Sequence, residues 1–181
     1  MTLRKALETK KFAVTCELFP PKGADMTEFR KKAASLKGLV DAINITDNQF
    51  SQMRMTPLVA CHFLKEEGID PNFQIACRDR NVLALQSDLL GAAALGIENV
   101  FVIGGDRVAK EDEGIVSPVF NVDAMGLLKL IKTLQTGVDH AGKELKGTPA
   151  FFLGAATTPG APDLDVELSK FKAKVDAGDI G

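Results

Sequence analysis

Short apolar runs alternate along the chain with amphipathic stretches, and this pattern predicts five strand–helix units. The predicted strands cover residues 11–18, 39–45, 72–76, 100–103 and 148–153. The fourth of them, VFVI, has no polar alternation, which is typical of a parallel strand covered on both faces. Strands that alternate with helices in this way predict an α/β protein with a parallel sheet and right-handed crossovers.

The stretches between the strands carry the start and stop signals of helices. Residues 1–12 predict a short amphipathic helix, and a glycine follows each of the later helices. Asp25 with Glu28 forms a capping-box pattern, and the next three helices have start signals at Thr56-Pro57, Asn81 and Asp123. The last predicted helix carries an apolar stripe that should face the core, formed by Leu164, Leu168, Phe171 and Val175.

Two architectures fit five such units: an open, doubly wound sheet and a (β/α) barrel. A complete barrel has eight units and typically about 250 residues. This chain has 181 residues and stops where a sixth strand should begin, at residues 179–181. If it is a barrel, we expect an incomplete one, either a fragment or a record that lacks its last part. Two strand edges would then be unpaired.

Composition and charge exclude several classes of partner. A net charge of −2 gives no reason to expect nucleic acid, and no apolar run approaches the roughly 20 residues of a membrane span. The N-terminus lacks the apolar core of a signal peptide. Three cysteines without CxxC spacing argue against a disulfide framework or a zinc site. We therefore expect a cytoplasmic protein with reduced thiols and no bound metal.

Polar and small residues follow all five predicted strands. Because the carboxyl ends of parallel strands meet at one edge, these residues should form a single rim that binds a ligand. In strand order they are Glu17; Thr46, Asp47 and Asn48; Gln74, Cys77, Arg78 and Asp79; Gly105 and Asp106; and Ala155, Ala156, Thr157 and Thr158.

Two carboxylates on this rim are candidates for chemistry. Glu17 lies in an otherwise apolar strand, and apolar surroundings favour the protonated carboxyl group that a general acid needs. The alternative is a structural glutamate that pairs with Arg78 or Lys22. Asp106 follows two glycines that let a ligand approach the backbone, although it can also be a turn-capping aspartate.

The rim lacks the signatures of several enzyme classes. No GxGxxG follows the first strand, which excludes a Rossmann fingerprint. No lysine lies at a strand end to form a Schiff base, and no Ser-His or Cys-His pair is present for acyl transfer. Acids and small residues without a nucleophile suit a bound cofactor that supplies the chemistry itself.

Five segments in order resemble the methylenetetrahydrofolate reductase family. They are CELFPPKG, INITDNQ, ACRDRN, VIGGD and GAATTPGAPDLDVELSKFKAKVDAG, and the similarity runs from about Phe12 to Gly178. The stretch QIACRDRN followed by ALQSDLLGAAALGI is most similar to anaerobic, acetogen-type bacterial members. The resemblance implies an eight-stranded, TIM-type (β/α) barrel, with residues 1–181 as one incomplete domain whose C-terminal strands are missing or not recorded.

The resemblance also implies a function. Members bind FAD noncovalently at the carboxyl ends of the strands and reduce 5,10-methylenetetrahydrofolate to 5-methyltetrahydrofolate in one-carbon metabolism and methionine biosynthesis. The external electron donor is NADH, NADPH or reduced ferredoxin, which can act through a partner subunit. We also expect a homo-oligomer.

Site residues carry over from the family by motif. Glu17 matches the general acid that protonates the folate as its bridging ring opens, giving the iminium that accepts hydride. Asp106 matches the aspartate that tunes the flavin and helps to bind the pterin. The flavin contacts carry over onto Thr46, Gln74, Gly105, Ala155, Ala156, Lys170 and Lys174.

The chain departs from the family at three points. Gly104 stands where several members have arginine, and without any tyrosine an aromatic flavin contact would need Phe120 or a residue such as Thr157. The family's sixth-strand glutamine would lie beyond Gly181, so we expect incomplete folate binding and no activity from these 181 residues alone. Two other hypotheses remain: a non-catalytic flavin- or folate-binding scaffold that needs a partner chain, and an unrelated phosphate-binding barrel enzyme.

Overall fold

A parallel sheet flanked by helices organises the part of the chain that the computed structural model describes, residues 2–10, 12–108 and 114–178. Its strands are β1 (Thr15–Leu18), β2 (Ala42–Ile45), β3 (Pro71–Ala76), β4 (Asn99–Ile103) and β5 (Phe152–Ala155). The helices are α1 (Leu3–Thr9), α2 (Thr27–Leu36), α3 (Pro57–Glu66), α4 (Val82–Ala94), α5 (Ala124–Gln135) and α6 (Leu164–Gly178), with a 3-10 turn at Gln49–Ser51. None of the helices in these ranges is long and apolar enough to cross a bilayer.

The order of the strands distinguishes between the two architectures that the sequence allows. Within the described residues, each strand pairs in parallel with the next one along the chain, in the order β1-β2-β3-β4-β5. A doubly wound sheet would reverse its order at a switch point, whereas a barrel winds in one direction. The described residues therefore form five consecutive strands of a TIM-type barrel, which is incomplete over this range.

The two faces of the sheet differ in polarity. Side chains that point outward, such as Ile43, Phe73 and Val100, are fully buried against the helices and form the core. Side chains that alternate with them point to the inner face, where Asn72 donates a hydrogen bond to Asn44 at 2.9 Å. β4, the strand predicted to be covered on both faces, is buried on the outer face at Val100 and Val102 and half-buried on the inner face at Phe101 and Ile103.

Local signals predicted most helix starts. Asn81 and Asp123 accept hydrogen bonds from Ala84 N and Gly126 N, and Pro57 is the first residue of α3. The Asp25 capping box is wrong, because Asp25 binds the backbone and hydroxyl of Thr27 instead and α2 begins at Thr27.

Two further predictions at the end of the chain are wrong. β5 begins at Phe152 and not at Thr148, because the amide of Phe151 is bound by the Gln135 side chain and ladder pairing with β4 starts one residue later. The apolar stripe of α6 is not in the core: Leu164, Leu168 and Phe171 are exposed, whereas Glu167 is buried. The expected sixth strand at residues 179–181 lies outside the described residues.

Candidate active site

Among the described residues, four carboxylates lie at or near the carboxyl ends of the strands, and arginines neutralise two of them. Asp47, whose side chain is fully buried, binds Arg80 at 2.5 Å, and Arg80 also binds Asp88 at 2.7 Å. Burial raises the pKa of Asp47, and the Arg80 guanidinium opposes that rise. The ion pair with Arg80 thus compensates the buried charge of Asp47 inside the protein.

Asp79 is the second neutralised carboxylate. Its two oxygens accept hydrogen bonds from the Arg78 side chain at 2.6 and 2.7 Å. Partial burial acts to raise the pKa of Asp79, but the hydrogen bonds and charge of Arg78 outweigh it, so this pKa lies below its ordinary value. Asp47 and Asp79 therefore act as structural anions, which leaves Glu17 and Asp106 as the exposed carboxylates of the set.

Glu17 points to the inner face of the sheet, near the carboxyl end of β1. Its Oε2 accepts a hydrogen bond from Nε2 of Gln74 at 3.3 Å, across the intervening strand β2. Gln74 itself is buried, with 8% of its surface exposed. The pairing with Arg78 or Lys22 that the sequence left open is not formed, since Arg78 binds Asp79, and Glu17 has no ion pair among the described residues.

Asp106 lies three residues beyond β4, at the same end of the sheet as Glu17. Its Oδ2 accepts a hydrogen bond from the backbone amide of Phe50 at 2.6 Å. Phe50 belongs to the loop of residues 48–51, in which Asn48, Phe50 and Ser51 have positive φ. Such conformations are unfavourable for residues other than glycine, so contacts such as this one must hold the loop.

Arg78 is the residue that sequence reasoning undervalued. It is only 1% exposed, and besides Asp79 it donates to the backbone carbonyls of Asn48 and Asp106, both at 3.1 Å. It therefore joins the loops that follow β2, β3 and β4. A strand-end arginine followed directly by Asp79 is the available signal, but its carbonyl partners leave no trace in the sequence.

Gly105 is a glycine for an internal reason. Its φ is +99°, and a Cβ at this position would lie 2.7 Å from Cβ of Arg78. We expected both glycines to let a ligand approach the backbone. At Gly105 this is wrong on the side where a Cβ would lie, because Arg78 already occupies that space. At Gly104 a Cβ would meet no atom within 4 Å among the described residues outside its chain neighbours.

The loop after β5 is fixed by α6. Glu167 accepts hydrogen bonds from Thr158 N at 2.8 Å and from the Thr157 hydroxyl at 3.1 Å, and these lower the pKa of Glu167. Lys174 donates to the carbonyl of Ala156 at 2.6 Å, which brings its amine to the rim beside Ala155. Lys170, one turn earlier, is largely exposed and lies 3.9 Å from Glu167.

Thr46 follows β2 directly and is 1% exposed. Its hydroxyl oxygen is buried without a hydrogen-bond partner among the described residues. A buried hydroxyl without a partner costs about 1–3 kcal/mol, so such atoms are uncommon and call for an explanation. Thr46 is one of the residues expected to contact a cofactor.

A sequence model of the family described as methylenetetrahydrofolate reductase matches residues 2–179. A search of curated proteins found no match. The family match covers nearly the whole chain and includes every strand of the sheet.

Proposed function

The chain belongs to the methylenetetrahydrofolate reductase family, and from that premise we propose that it reduces 5,10-methylenetetrahydrofolate to 5-methyltetrahydrofolate with noncovalently bound FAD. The observation that carries the proposal is the pair of exposed carboxylates, Glu17 and Asp106, at one end of a barrel-type sheet. The other two carboxylates of the set are held by arginines, so within the described part of the rim this pair is the one available to a substrate.

The residues at the rim fit a flavin. Thr46 offers a hydroxyl that has no partner in the described structure, and contact with a ligand would remove that unfavourable state. Lys174 uses one of its three donors on Ala156 and keeps two for the diphosphate or the electron-rich end of the ring system. Together with them, the residues that would hold the cofactor are Gln74, Gly105, Ala155, Ala156 and Lys170. When bound, FAD supplies the hydride that the methylene carbon of the folate accepts.

Glu17 supplies the proton in this proposal. The hydrogen bond from Gln74 occupies Oε2, so Oε1 remains to hold the proton and deliver it to the substrate nitrogen as the bridging ring opens. Proton delivery by a positioned carboxyl group contributes about 10²–10⁴-fold to a rate.

Asp106 binds the pterin in this proposal. One of its oxygens holds the Phe50 amide, so the other remains for the N–H groups of the substrate ring. Because the same carboxylate also orders the loop of residues 48–51, substrate binding and loop position are coupled. The ring of Phe50 is exposed, and we expect it to pack on the planar substrate.

The test is a single-turnover experiment that avoids the unknown electron donor, which we still expect to be NADH, NADPH or reduced ferredoxin. The natural protein is saturated with FAD, reduced with dithionite without oxygen, and mixed with methylenetetrahydrofolate. We expect the visible flavin absorbance to return with formation of methyltetrahydrofolate, at a rate of about 1 s⁻¹ or more.

Two results would contradict the proposal. Protein that binds FAD but shows no folate-dependent reoxidation supports the non-catalytic scaffold. Protein that does not bind FAD at all, but binds inorganic phosphate near Gly104, supports the unrelated phosphate-binding enzyme.

A further inference from the structure

We propose that Arg78 is a positioning residue, whose hydrogen bonds fix the position of Asp106 relative to the loop of residues 48–51. The proposal rests on the proposed function for the meaning of Asp106 as a substrate-binding group. Its structural content, that Arg78 fixes the two loops to each other, can be tested without substrate or cofactor.

The hydrogen bonds of Arg78 reach all three loops at this side of the rim. Nε and one terminal nitrogen hold the Asp79 carboxylate, so the positive charge is compensated inside the protein. The terminal nitrogens also donate to the carbonyl of Asn48 and to the carbonyl of Asp106. One buried side chain therefore joins the first residue of the strained loop to the candidate substrate-binding residue.

A second connection between the same two loops lies at the surface. The Asp106 carboxylate accepts the Phe50 amide at 2.6 Å, while Arg78 holds the Asp106 carbonyl from below. Together with the hydrogen bond from Arg78 to the Asn48 carbonyl, these two contacts form a closed circuit that joins Arg78, Asp106, Phe50 and Asn48. Asn48 and Phe50 both have positive φ, and the circuit gives the loop the support that this strained backbone needs.

The backbone segments around Arg78 are closely packed against it. Gly105 lies so close that its missing Cβ would be 2.7 Å from Cβ of Arg78, and the Arg78 carbonyl accepts the amide of Val119 at 2.7 Å. Arg78 therefore has little freedom to move. Its position determines where Asp106 lies.

The chemistry requires arginine. Only a planar guanidinium offers a fork of donors that can hold a carboxylate with two bonds and still reach two carbonyls in other directions. A lysine keeps the charge but has a single nitrogen, so it can satisfy Asp79 only at the expense of the carbonyls. The substitution Arg78→Lys therefore separates geometry from charge.

The chain offers a matched control in Arg80. Its side chain is only 12% exposed, and it follows the same strand and binds two carboxylates, but within the described residues it contacts neither Asp106 nor the loop of residues 48–51. Arg80→Lys should therefore lower stability as Arg78→Lys does. It should leave the Phe50 amide protected from hydrogen exchange.

The decisive readout is amide hydrogen exchange at Phe50 in the natural protein without ligands, followed by mass spectrometry of short peptides across the loop. We expect Arg78→Lys to speed exchange of this amide by about tenfold or more, since hydrogen bonds of charged groups are among the stronger ones. In the single-turnover assay the same variant should need a higher methylenetetrahydrofolate concentration for half-maximal rate, while its FAD affinity stays at the wild-type value.

Wild-type exchange at Phe50 in Arg78→Lys, or equal acceleration in Arg80→Lys, would overturn the proposal. If Arg78→Lys does not fold, Asp79→Asn is measured instead, because it loosens Arg78 while keeping the arginine, and unchanged exchange there overturns the proposal equally. Failure of the proposed function appears separately, as wild-type protein without folate-dependent turnover, and leaves the exchange result to support the positioning role.

Discussion

Replacing Gly105 with alanine tests the close packing between the β4 loop and Arg78. The backbone at Gly105 has φ +99°, a conformation that residues with a side chain rarely adopt. The added methyl group would also be aimed at the β-carbon of a buried arginine, which cannot withdraw because its guanidinium is bound on three sides.

The expected destabilisation has two parts. Backbone strain at a positive φ costs about 1–3 kcal/mol for a non-glycine residue. The contact of 2.7 Å is well inside van der Waals distance, and overpacking of this kind costs about 1–3 kcal/mol. Their sum, about 2–6 kcal/mol, is a large fraction of the 5–15 kcal/mol that stabilises an ordinary domain.

Urea unfolding of Gly105→Ala and Gly104→Ala measures this effect with an internal control. Gly104 is not among the residues with positive φ, and a Cβ there would meet no atom within 4 Å among the described residues outside its chain neighbours. We expect the unfolding midpoint of Gly105→Ala to fall by about 1 M or more, at a slope of 1–3 kcal/mol per M, and that of Gly104→Ala to stay near wild type. Equal midpoints for the two variants would refute the packing argument.

Three further predictions follow from individual residues. Thr46→Val should weaken FAD binding in a fluorescence titration, and tighter FAD binding would contradict this prediction. The stability of the ligand-free protein should stay unchanged or rise by about 1 kcal/mol, because the substitution removes a buried hydroxyl without a partner. Thiol labelling of native protein should modify half-buried Cys16 before Cys61 and Cys77, since burial raises the pKa of Cys61 strongly and that of Cys77 to about 11. The pKa of Asp79 is lower in the folded state than in the unfolded state. Its contribution to stability is therefore complete above the unfolded value of about 3.9 and is lost as the pH falls through the folded value. Asp79→Asn should make the free energy of unfolding less dependent on pH in that range, and an unchanged pH dependence would contradict the prediction.

Local chemistry in the sequence predicted the elements, because caps and turns depend on neighbours a few positions away. Asn81 and Asp123 bind amides three residues ahead, and both are visible in the sequence. Asp25 shows the limit of this reasoning, since a nearer hydroxyl donor at Thr27 competes with the helix end.

Long-range pairings could not be predicted from the sequence. Glu17 and Gln74 are 57 residues apart, and the choice of Gln74 rather than an arginine as partner depends on the register of three strands. The buried Glu167 broke the apolar pattern of α6 because its carboxylate binds a loop, an interaction that no helical periodicity records.

Sequence did predict that the polar residues gather at one end of the sheet. Strand direction alone requires this once the strands are parallel. It did not show which carboxylates are neutralised, because Arg78 binds its sequence neighbour Asp79 whereas Arg80 binds Asp47, 33 residues away, and these orientations are a property of the fold. The roles of Glu17 and Asp106 in the reaction remain predictions.

The most direct test of the central claim is Glu17→Gln, with Glu28→Gln on the exposed surface of α2 as the matched control. The glutamine keeps the size of the side chain and can still meet Gln74, but it cannot deliver a proton. We predict that flavin binding and reduction by dithionite stay at wild-type levels while methylenetetrahydrofolate-dependent reoxidation falls by about 10²–10⁴-fold. Equal loss in both half-reactions, or wild-type reoxidation, would contradict Glu17 as the proton donor.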